Sequence, residues 1–262
     1  MKIVVSMTSY PKRIVNVGKS MYALLNKQTL PPDEIYLWLS IEEFPNKEKD
    51  LPEDLMLFVE TMNKIKIKWV EKNTYVHKRH EIFKIIKDAY VFFMDDDVYY
   101  NEDLIRTVVE KAKKYPNSII CYNHYNLHEY KGLHILYRTN LYGGPYVNKG
   151  RWCGQSMIPS SIYPVEVLSE EYVEIREKTS PISDECWFQP FVVENNIPIY
   201  YCEFGWGQDI SKHLGKSSGL VAWSHQKDPN GLEKRDNWLN AVLKSFPNIM
   251  EKYQKLFNYG KF

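Results

Sequence analysis

Strand-like and helix-like patterns alternate along the first 95 residues of this chain, and that alternation constrains its fold more than any other feature. Short apolar runs that predict strands cover residues 3–5, 35–39, 65–69 and 90–94, and apolar residues at helical spacing cover residues 14–25, 55–62 and 82–89. Such alternation is typical of right-handed βαβ units, which build a mostly parallel sheet with helices on both faces. The sequence therefore predicts an α/β fold.

The rest of the chain is less regular. A helix is predicted over residues 104–112 with Asn101 as its N-cap, and a fifth strand over residues 118–122. Residues 123–160 are rich in Tyr, Asn, Gly and His, which favours loops and short strands. The later patterns predict a helix over residues 183–195 that Pro190 kinks or shortens, an edge strand over residues 197–201 and a final helix from Glu233. Because no linker interrupts these patterns, we expect a single domain over residues 1–262.

Charge and cysteine content exclude several classes of protein. The 34 basic residues nearly balance the 33 acidic ones, which argues against a nucleic-acid-binding surface. The 4 cysteines form no C-x-x-C pair, so neither a zinc knuckle nor a disulfide framework is expected. No apolar run is long enough to span a membrane. We expect a cytoplasmic protein with at most peripheral contact at the inner membrane face, where the basic and aromatic C-terminus could bind unless it is a packed helix.

Three consecutive carboxylates, Asp95, Asp96 and Asp97, directly follow the most apolar predicted strand. In open α/β sheets, ligands bind at the carboxyl ends of the strands. Two unit charges about 4 Å apart repel by roughly 4 kcal/mol at an effective dielectric near 20, so the triplet needs a neutralising partner. A hard divalent cation such as Mg²⁺ or Mn²⁺ is suited to carboxylate and phosphate oxygens. The alternative is a solvated acidic turn before a helix.

Three motifs in order give the chain a resemblance to a known family. Val91–Asp97 looks like the D-x-D motif of GT-A fold glycosyltransferases, and it is preceded by the opening segment Val4–Arg13 and followed by the acidic segment Ser183–Trp187. This order is similar to the first nucleotide-contacting loop, metal motif and catalytic motif of family-2-like members that act in bacterial polysaccharide synthesis. The resemblance extends over residues 1–203 in outline. It makes residues 1–122 a nucleotide-binding half and residues 123–262 an acceptor-side half with a C-terminal helix.

The resemblance implies roles for individual residues. Asp95 and Asp97 would bind Mn²⁺ or Mg²⁺ together with His225, while Asp95 and Asp96 would also contact the nucleotide and its sugar. The remaining donor contacts would come from Thr8, Ser9, Tyr10 and Arg13 at the base and ribose, Lys78 at the diphosphate and Gly154 at the donor sugar. Ordinary solvated charge is the alternative interpretation of Arg13 and Lys78. A simple turn would explain Gly154 equally well.

The second acidic motif contains Asp184 and Glu185. By resemblance, an acidic residue at this helix start is the general base of inverting members. Glu185 aligns with that base, although Asp is the residue expected there, so the sequence leaves both carboxylates as candidates for the base. The alternative is an N-terminal capping motif in which Ser183 is the N-cap and both acidic residues interact with the helix dipole.

Together these features predict metal-dependent transfer of a sugar from a nucleotide-sugar donor, with UDP as the expected nucleotide. The acceptor would be a saccharide or lipid-linked saccharide of a surface polysaccharide, and the mechanism would be inverting. Trp152, Trp187 and Trp206 are candidates for stacking on the acceptor, with the core favoured for Trp187. Residues 205–219 are expected to close over the donor. Two other classes stay open, namely a metal-dependent phosphohydrolase or nucleotidyltransferase and a non-catalytic carbohydrate-binding protein.

Overall fold

A computed structural model describes residues 1–130, 132–137, 147–202, 211–213 and 231–259. The strands are β1 Lys2–Thr8, β2 Glu34–Ser40, β3 Ile65–Val70, β4 Ala89–Phe93, β5 Val98–Tyr100, β6 Ile119–Tyr130, β7 Leu133–Tyr137, β8 Val147–Pro159, β9 Ile199–Tyr201 and β10 Ser211–His213. The α-helices are α1 Ile14–Asn26, α2 Glu53–Thr61, α3 Leu104–Lys114, α4 Glu170–Thr179, α5 Asp184–Glu194, α6 Gly231–Ser245 and α7 Ile249–Tyr259. Short 3-10 segments cover Lys47–Asp50, Tyr75–Lys84, Ser160–Ile162 and Val165–Leu168.

The main sheet combines a parallel part with an antiparallel part. Its order is β3-β2-β1-β4-β8-β6-β7, with β9 beside β6. The pairs β1–β2, β2–β3, β1–β4 and β6–β9 are parallel, whereas β4–β8, β6–β8 and β6–β7 are antiparallel. Strands β5 and β10 form a separate antiparallel ribbon. The predicted α/β class with a mostly parallel sheet is confirmed, and the single domain stays a prediction.

The central strands β1 and β4 are buried on both faces. Val4 and Val91 contribute to one hydrophobic cluster, and Val5 and Phe92 contribute to a second cluster on the other face. Such two-sided burial explains why these strands are apolar throughout rather than alternating. Ser6 of β1 is opposite Phe93 of β4, so the residues after both strands emerge at one edge of the sheet. The residues that the sequence analysis assigned to donor and metal binding after these two strands therefore lie at this edge.

Three local predictions are wrong, and one helix was missed. The helix expected over residues 82–89 is instead the 3-10 segment Tyr75–Lys84, which begins earlier in the chain. Residues 123–160 contain much of β6 and all of β8, which are long antiparallel strands, so they are not mainly loops and short strands. Polar, aromatic and glycine residues mixed along these strands hide the strand pattern. Helix α4 was not predicted. Asn101 does not cap α3, since its N-cap residue is Asp103 and Asn101 Oδ1 accepts from the Asp103 N–H at 2.9 Å.

The C-terminal helix α7 is packed against the body of the protein. Tyr253 is buried, and its ring lies 5.5 Å from that of Trp152, centroid to centroid. Lys252 pairs with Glu194 of α5 at 2.5 Å. The packed helix predicted as the alternative to a membrane-binding C-terminus is therefore observed. Over the described part of the chain, no helix combines the length and the apolar character that crossing a membrane would require.

Candidate active site

The aspartate triplet lies in the short turn between β4 and β5, at the carboxyl edge of the parallel part of the sheet. Its three side chains differ in exposure. Asp95 is the most exposed at 41%, Asp97 is at 15% and Asp96 is nearly buried at 4%. Only Asp95 and Asp97 therefore present carboxylate surface to a ligand.

Two arginines neutralise the triplet. Arg13 Nη2 pairs with Asp96 Oδ1 at 2.5 Å and also with Asp97, and Arg79 Nη1 lies 3.3 Å from Asp95 Oδ1. The sequence predicted that the triplet needs a neutralising partner, and these two arginines supply positive charge from within the protein. The alternative interpretation of Arg13 as an ordinary solvated charge is wrong, because its side chain is only 12% exposed. The Tyr10 ring lies beside this guanidinium, 5.7 Å from its carbon.

Asp96 is a carboxylate in an unfavourable position. Burial raises the pKa of Asp96 to about 6. Arg13 and the Ser9 side chain oppose this rise, and the nearby charges of Asp97 and Asp95 add to it. Three buried polar atoms here, Ser9 Oγ, Arg13 Nε and Asp96 Oδ2, lack a hydrogen-bond partner of ordinary geometry. Buried polar atoms without partners are costly, so their clustering at one spot points to a place where a polar ligand binds.

The remaining residues expected around the nucleotide are at the same edge. Thr8 Oγ1 donates to the Trp38 carbonyl at 2.8 Å, and Ser9 is buried. Lys78 is not a solvated charge: it is 1% exposed, and its Nζ contacts Glu43 Oε2 at 2.6 Å and Asn73 Oδ1 at 3.1 Å. Burial lowers the pKa of Lys78, and the hydrogen bond to Glu43 opposes this change.

Asp184 is the first residue of α5 and is held by the segment before β4. Arg79 Nε donates to Asp184 Oδ2 at 2.6 Å, and His80 Nε2 lies 3.3 Å from the same oxygen. Burial alone would raise the pKa of Asp184, but Arg79 and His80 outweigh burial and hold it below its ordinary value. The predicted cap is also present, because Ser183 Oγ accepts from the Cys186 N–H at 3.4 Å.

Arg79 joins the two acidic motifs. Its guanidinium contacts Asp95 of the triplet and Asp184 of α5 at once, although these residues are far apart in the chain. The sequence analysis did not identify this role. The available signal was an uninterrupted run of four basic residues, His77, Lys78, Arg79 and His80. All four side chains are buried in the structure.

Glu185 is partly exposed and is held from the opposite side. Tyr125 of β6 donates its hydroxyl proton to Glu185 Oε1 at 2.8 Å, and Trp152 of β8 donates its indole N–H to the Glu185 carbonyl at 2.7 Å. The sequence analysis missed Tyr125, because its strand was expected to be a loop. It also missed Gln155 of β8, whose amide contacts Asp95 Oδ2.

Gly154 and two tryptophans, all candidates for ligand contact, are packed against other residues of the protein. A Cβ on Gly154 would lie 2.9 Å from Tyr125 Cε2 and 3.0 Å from the Asn123 carbonyl, so the close approach at this glycine is made by the protein itself rather than by a turn. Trp152 and Trp187 are each 1% exposed and belong to the core. The core location favoured for Trp187 is therefore confirmed, and the acceptor-stacking role considered for Trp152 is wrong. Trp206 and residues 205–210 and 214–219 lie outside the described residues.

The described residues contain no group of three or more His, Cys, Asp or Glu arranged to hold a metal ion. His225, the predicted third ligand, lies outside them. Asp95 and Asp97 nevertheless fit a hard cation, because their carboxylates are the exposed members of the triplet. Mg²⁺ in particular is commonly held by one or two carboxylates, with substrate phosphates completing its coordination.

The chain was compared with known proteins and structures. A family model for glycosyl transferase family 2 matches residues 54–149, a segment that includes the triplet and Arg79. This match confirms the predicted resemblance. The enzyme class of that family, glycosyltransferase, is the class that the sequence predicted. No curated protein matches the chain.

Among solved structures, the chain is similar to TarS of S. aureus. The structure of TarS residues 1–349 in complex with UDP has 16% identity and a TM-score of 0.46, covering 78% of this chain and 59% of that one. A second TarS structure has 17% identity and a TM-score of 0.45, covering 78% and 36%. The chain therefore spans less than two thirds of the TarS chains that it matches.

Proposed function

We propose that this protein transfers a sugar from a nucleotide-sugar donor, with UDP as the nucleotide, to a saccharide or lipid-linked saccharide acceptor. We place the reaction in surface polysaccharide synthesis on the cytoplasmic side of the membrane. The observation that carries the proposal is the family match over the segment that contains the triplet and Arg79. Arg79 supports it further, because this residue brings Asp95 and the start of α5 into one site.

The donor would bind at the edge formed by the ends of β1 and β4. Asp95 and Asp97 would hold Mn²⁺ or Mg²⁺ through their exposed oxygens, and Asp96 would stay buried beside Ser9 and Arg13. When bound, the metal would stabilise the negative charge that develops on the leaving diphosphate. Arg13 is already paired with two carboxylates, so we assign it to holding the triplet in place rather than to direct phosphate binding.

We assign the general base to Glu185 rather than Asp184. A base needs a carboxylate that can gain a proton near the working pH and that reaches the substrate. Asp184 is buried, and Arg79 and His80 keep its pKa low. Glu185 is partly exposed, and its Oε1 is oriented by Tyr125.

The reaction then follows from these positions. Glu185 takes the proton of the attacking acceptor hydroxyl, while a new bond forms between that oxygen and the anomeric carbon of the sugar. The bond from the anomeric carbon to the diphosphate oxygen breaks on the opposite face, which inverts the anomeric configuration. The nucleoside diphosphate leaves with the bonding electron pair, so atoms and charges balance.

Ligand-dependent thermal stability tests the donor and the metal. The protein would be heated with UDP, GDP, CMP and their sugars, with and without Mn²⁺. A ligand at about 100 times its Kd stabilises the folded state by about 2.7 kcal/mol, which raises Tm by several degrees for a chain of this size. We expect a shift with UDP or its sugars that requires Mn²⁺. The absence of a shift with every nucleotide would reject the proposal.

Substitution of Asp97 locates the metal. Asp97→Asn should abolish the Mn²⁺-dependent part of the UDP shift, since an amide oxygen carries no charge to offset the cation. The matched control is Asp54→Asn, an exposed aspartate at the start of α2 whose removal leaves the shift intact. An unchanged metal dependence in Asp97→Asn would show that the cation binds elsewhere.

Substitution of Glu185 tests the base. Glu185→Gln keeps the size of the side chain but removes its proton affinity, so sugar transfer should fall by about 100-fold or more while the nucleotide shift persists. The measurement is release of nucleoside diphosphate in the presence of acceptor. Full turnover in Glu185→Gln would remove Glu185 from the mechanism and favour a retaining pathway.

A further inference from the structure

Two side chains that face each other across β6 and β8 both contact Glu185. Tyr125 and Trp152 are direct cross-strand partners in the antiparallel pair. Tyr125 donates to the Glu185 carboxylate at 2.8 Å, and Trp152 donates to the Glu185 main-chain carbonyl at 2.7 Å. The strand pair therefore contacts the backbone and the side chain of one residue at the start of α5.

The Tyr125 ring is itself confined. Its exposed fraction is 2%, and it lies over Gly154, where a Cβ would approach Tyr125 Cε2 to 2.9 Å. Any side chain at position 154 would displace the ring. A buried ring with little room to move fixes the direction in which its hydroxyl donates, and an oriented carboxylate is what a general base requires.

We propose that Tyr125 is a positioning residue, which aims the Glu185 carboxylate at the acceptor hydroxyl. This inference rests on the proposed function, since it assigns Tyr125 a task in the same reaction. Asp184, the neighbour of Glu185, is held by Arg79 and His80 from the other side. Two adjacent carboxylates are thus fixed by two different parts of the fold, and Tyr125 acts on the one that is partly exposed.

The test uses Tyr125→Phe in the chain of residues 1–262. This change keeps the ring and its packing over Gly154 but removes the hydrogen bond to Glu185. Loss of this hydrogen bond, which holds the charged base in position, should lower kcat by about tenfold or more. The donor KM and the thermal shift with UDP and Mn²⁺ should stay at wild-type values, because the hydrogen bond that is removed goes to Glu185 and not to the triplet.

The matched control is Tyr201→Phe. Tyr201 lies on β9, next to β6, and its hydroxyl donates to the Arg151 carbonyl at 2.7 Å. This variant also loses a tyrosine hydrogen bond in the same sheet, but not one to Glu185, so its kcat should be unchanged. A fall in kcat shared by both variants would mean that sheet stability, not the positioning of Glu185, limits turnover, and would overturn the proposal.

A second background shows whether Tyr125 acts through Glu185. Glu185→Asp keeps a carboxylate but withdraws it from the Tyr125 hydroxyl, so adding Tyr125→Phe should cause little further loss of kcat. Equal losses in both backgrounds would overturn the proposal, as would wild-type kcat in Tyr125→Phe alone. If the wild-type protein turns over no nucleotide sugar, the proposed function fails together with this inference. Wild-type turnover with an unaffected Tyr125→Phe variant rejects the inference alone.

Discussion

The two acidic motifs of the site each contain a buried carboxylate, but the two behave in opposite ways. Asp96 of the triplet and Asp184 of α5 are both almost completely buried, and each is paired with an arginine. Even so, the pKa of Asp96 is raised to about 6, whereas the pKa of Asp184 is lowered. Burial and one arginine therefore do not decide the charge state of a carboxylate.

The difference comes from the other neighbours. Asp96 has two carboxylates beside it in the chain, and Arg13 divides its charge between Asp96 and Asp97. Asp184 is paired with Arg79 and is also contacted by His80. The like charges beside Asp96 disfavour its ionisation despite Arg13 and Ser9, whereas Arg79 and His80 together outweigh burial at Asp184, so the balance reverses between the two sites. Asp184 is thus built as a structural ion pair, and Asp96 as a group whose charge depends on its surroundings.

The largest expected effect is in the stability of Asp184→Asn. Removing one partner of a buried ion pair leaves Arg79 without its main counter-charge, which should lower the free energy of unfolding by about 3–5 kcal/mol at pH 7. Because the folded pKa is lowered, this stabilisation is present above the unfolded pKa of about 3.9 and is lost as the pH falls below it. The loss is complete only near the lowered folded pKa, so urea denaturation at pH 7 and at about pH 2 would measure both values.

The control for Asp184→Asn is Glu194→Gln, which breaks the half-exposed pair with Lys252. That variant should lose less than about 1 kcal/mol, since pairs exposed to solvent contribute little. Equal losses in the two variants would contradict the view that Asp184 is a buried structural ion pair.

Asp96→Asn should change how stability depends on pH. A folded pKa near 6 against about 3.9 in the unfolded chain means that the protonated group stabilises the fold below pH 4. This contribution is lost as the pH rises through 6, by roughly 3 kcal/mol in total. The asparagine variant lacks that titration, so its stability relative to wild type should rise between pH 4 and pH 7. Denaturation curves whose difference stays constant over this range would reject the raised pKa.

The sequence predicted the parallel part of the fold well because its strands are buried on both faces and therefore apolar throughout. It also found the triplet, which directly follows one of those strands. Strands β6 and β8 escaped prediction because polar, aromatic and glycine residues are mixed along them. For the same reason the hydrogen bonds that Tyr125 and Trp152 donate to Glu185 were not predicted.

The electrostatic state of the site was beyond reach of sequence reasoning for a different reason. Arg79 contacts Asp95 and Asp184 only because the fold brings β4 and α5 together. No spacing in the chain encodes that meeting. A motif can therefore show which carboxylates are present, while their partners, and with them their charge, depend on tertiary contacts.

The smallest effect should come from Gly154→Ala. This variant tests the packing of Tyr125, which donates to Glu185 in the second acidic motif. The new Cβ would press on the Tyr125 ring at 2.9 Å and on the Asn123 carbonyl at 3.0 Å, so we expect a loss of about 1–3 kcal/mol in the free energy of unfolding. Gly18→Ala is the control, because its Cβ would meet only Leu55 at 3.9 Å inside helix α1. Alanine is favoured over glycine there by up to about 1 kcal/mol, so this variant should be stabilised. If Gly154→Ala were as stable as wild type, the Tyr125 ring would have room to move, and the strand pair could not orient Glu185 in the way that Arg79 and His80 orient Asp184.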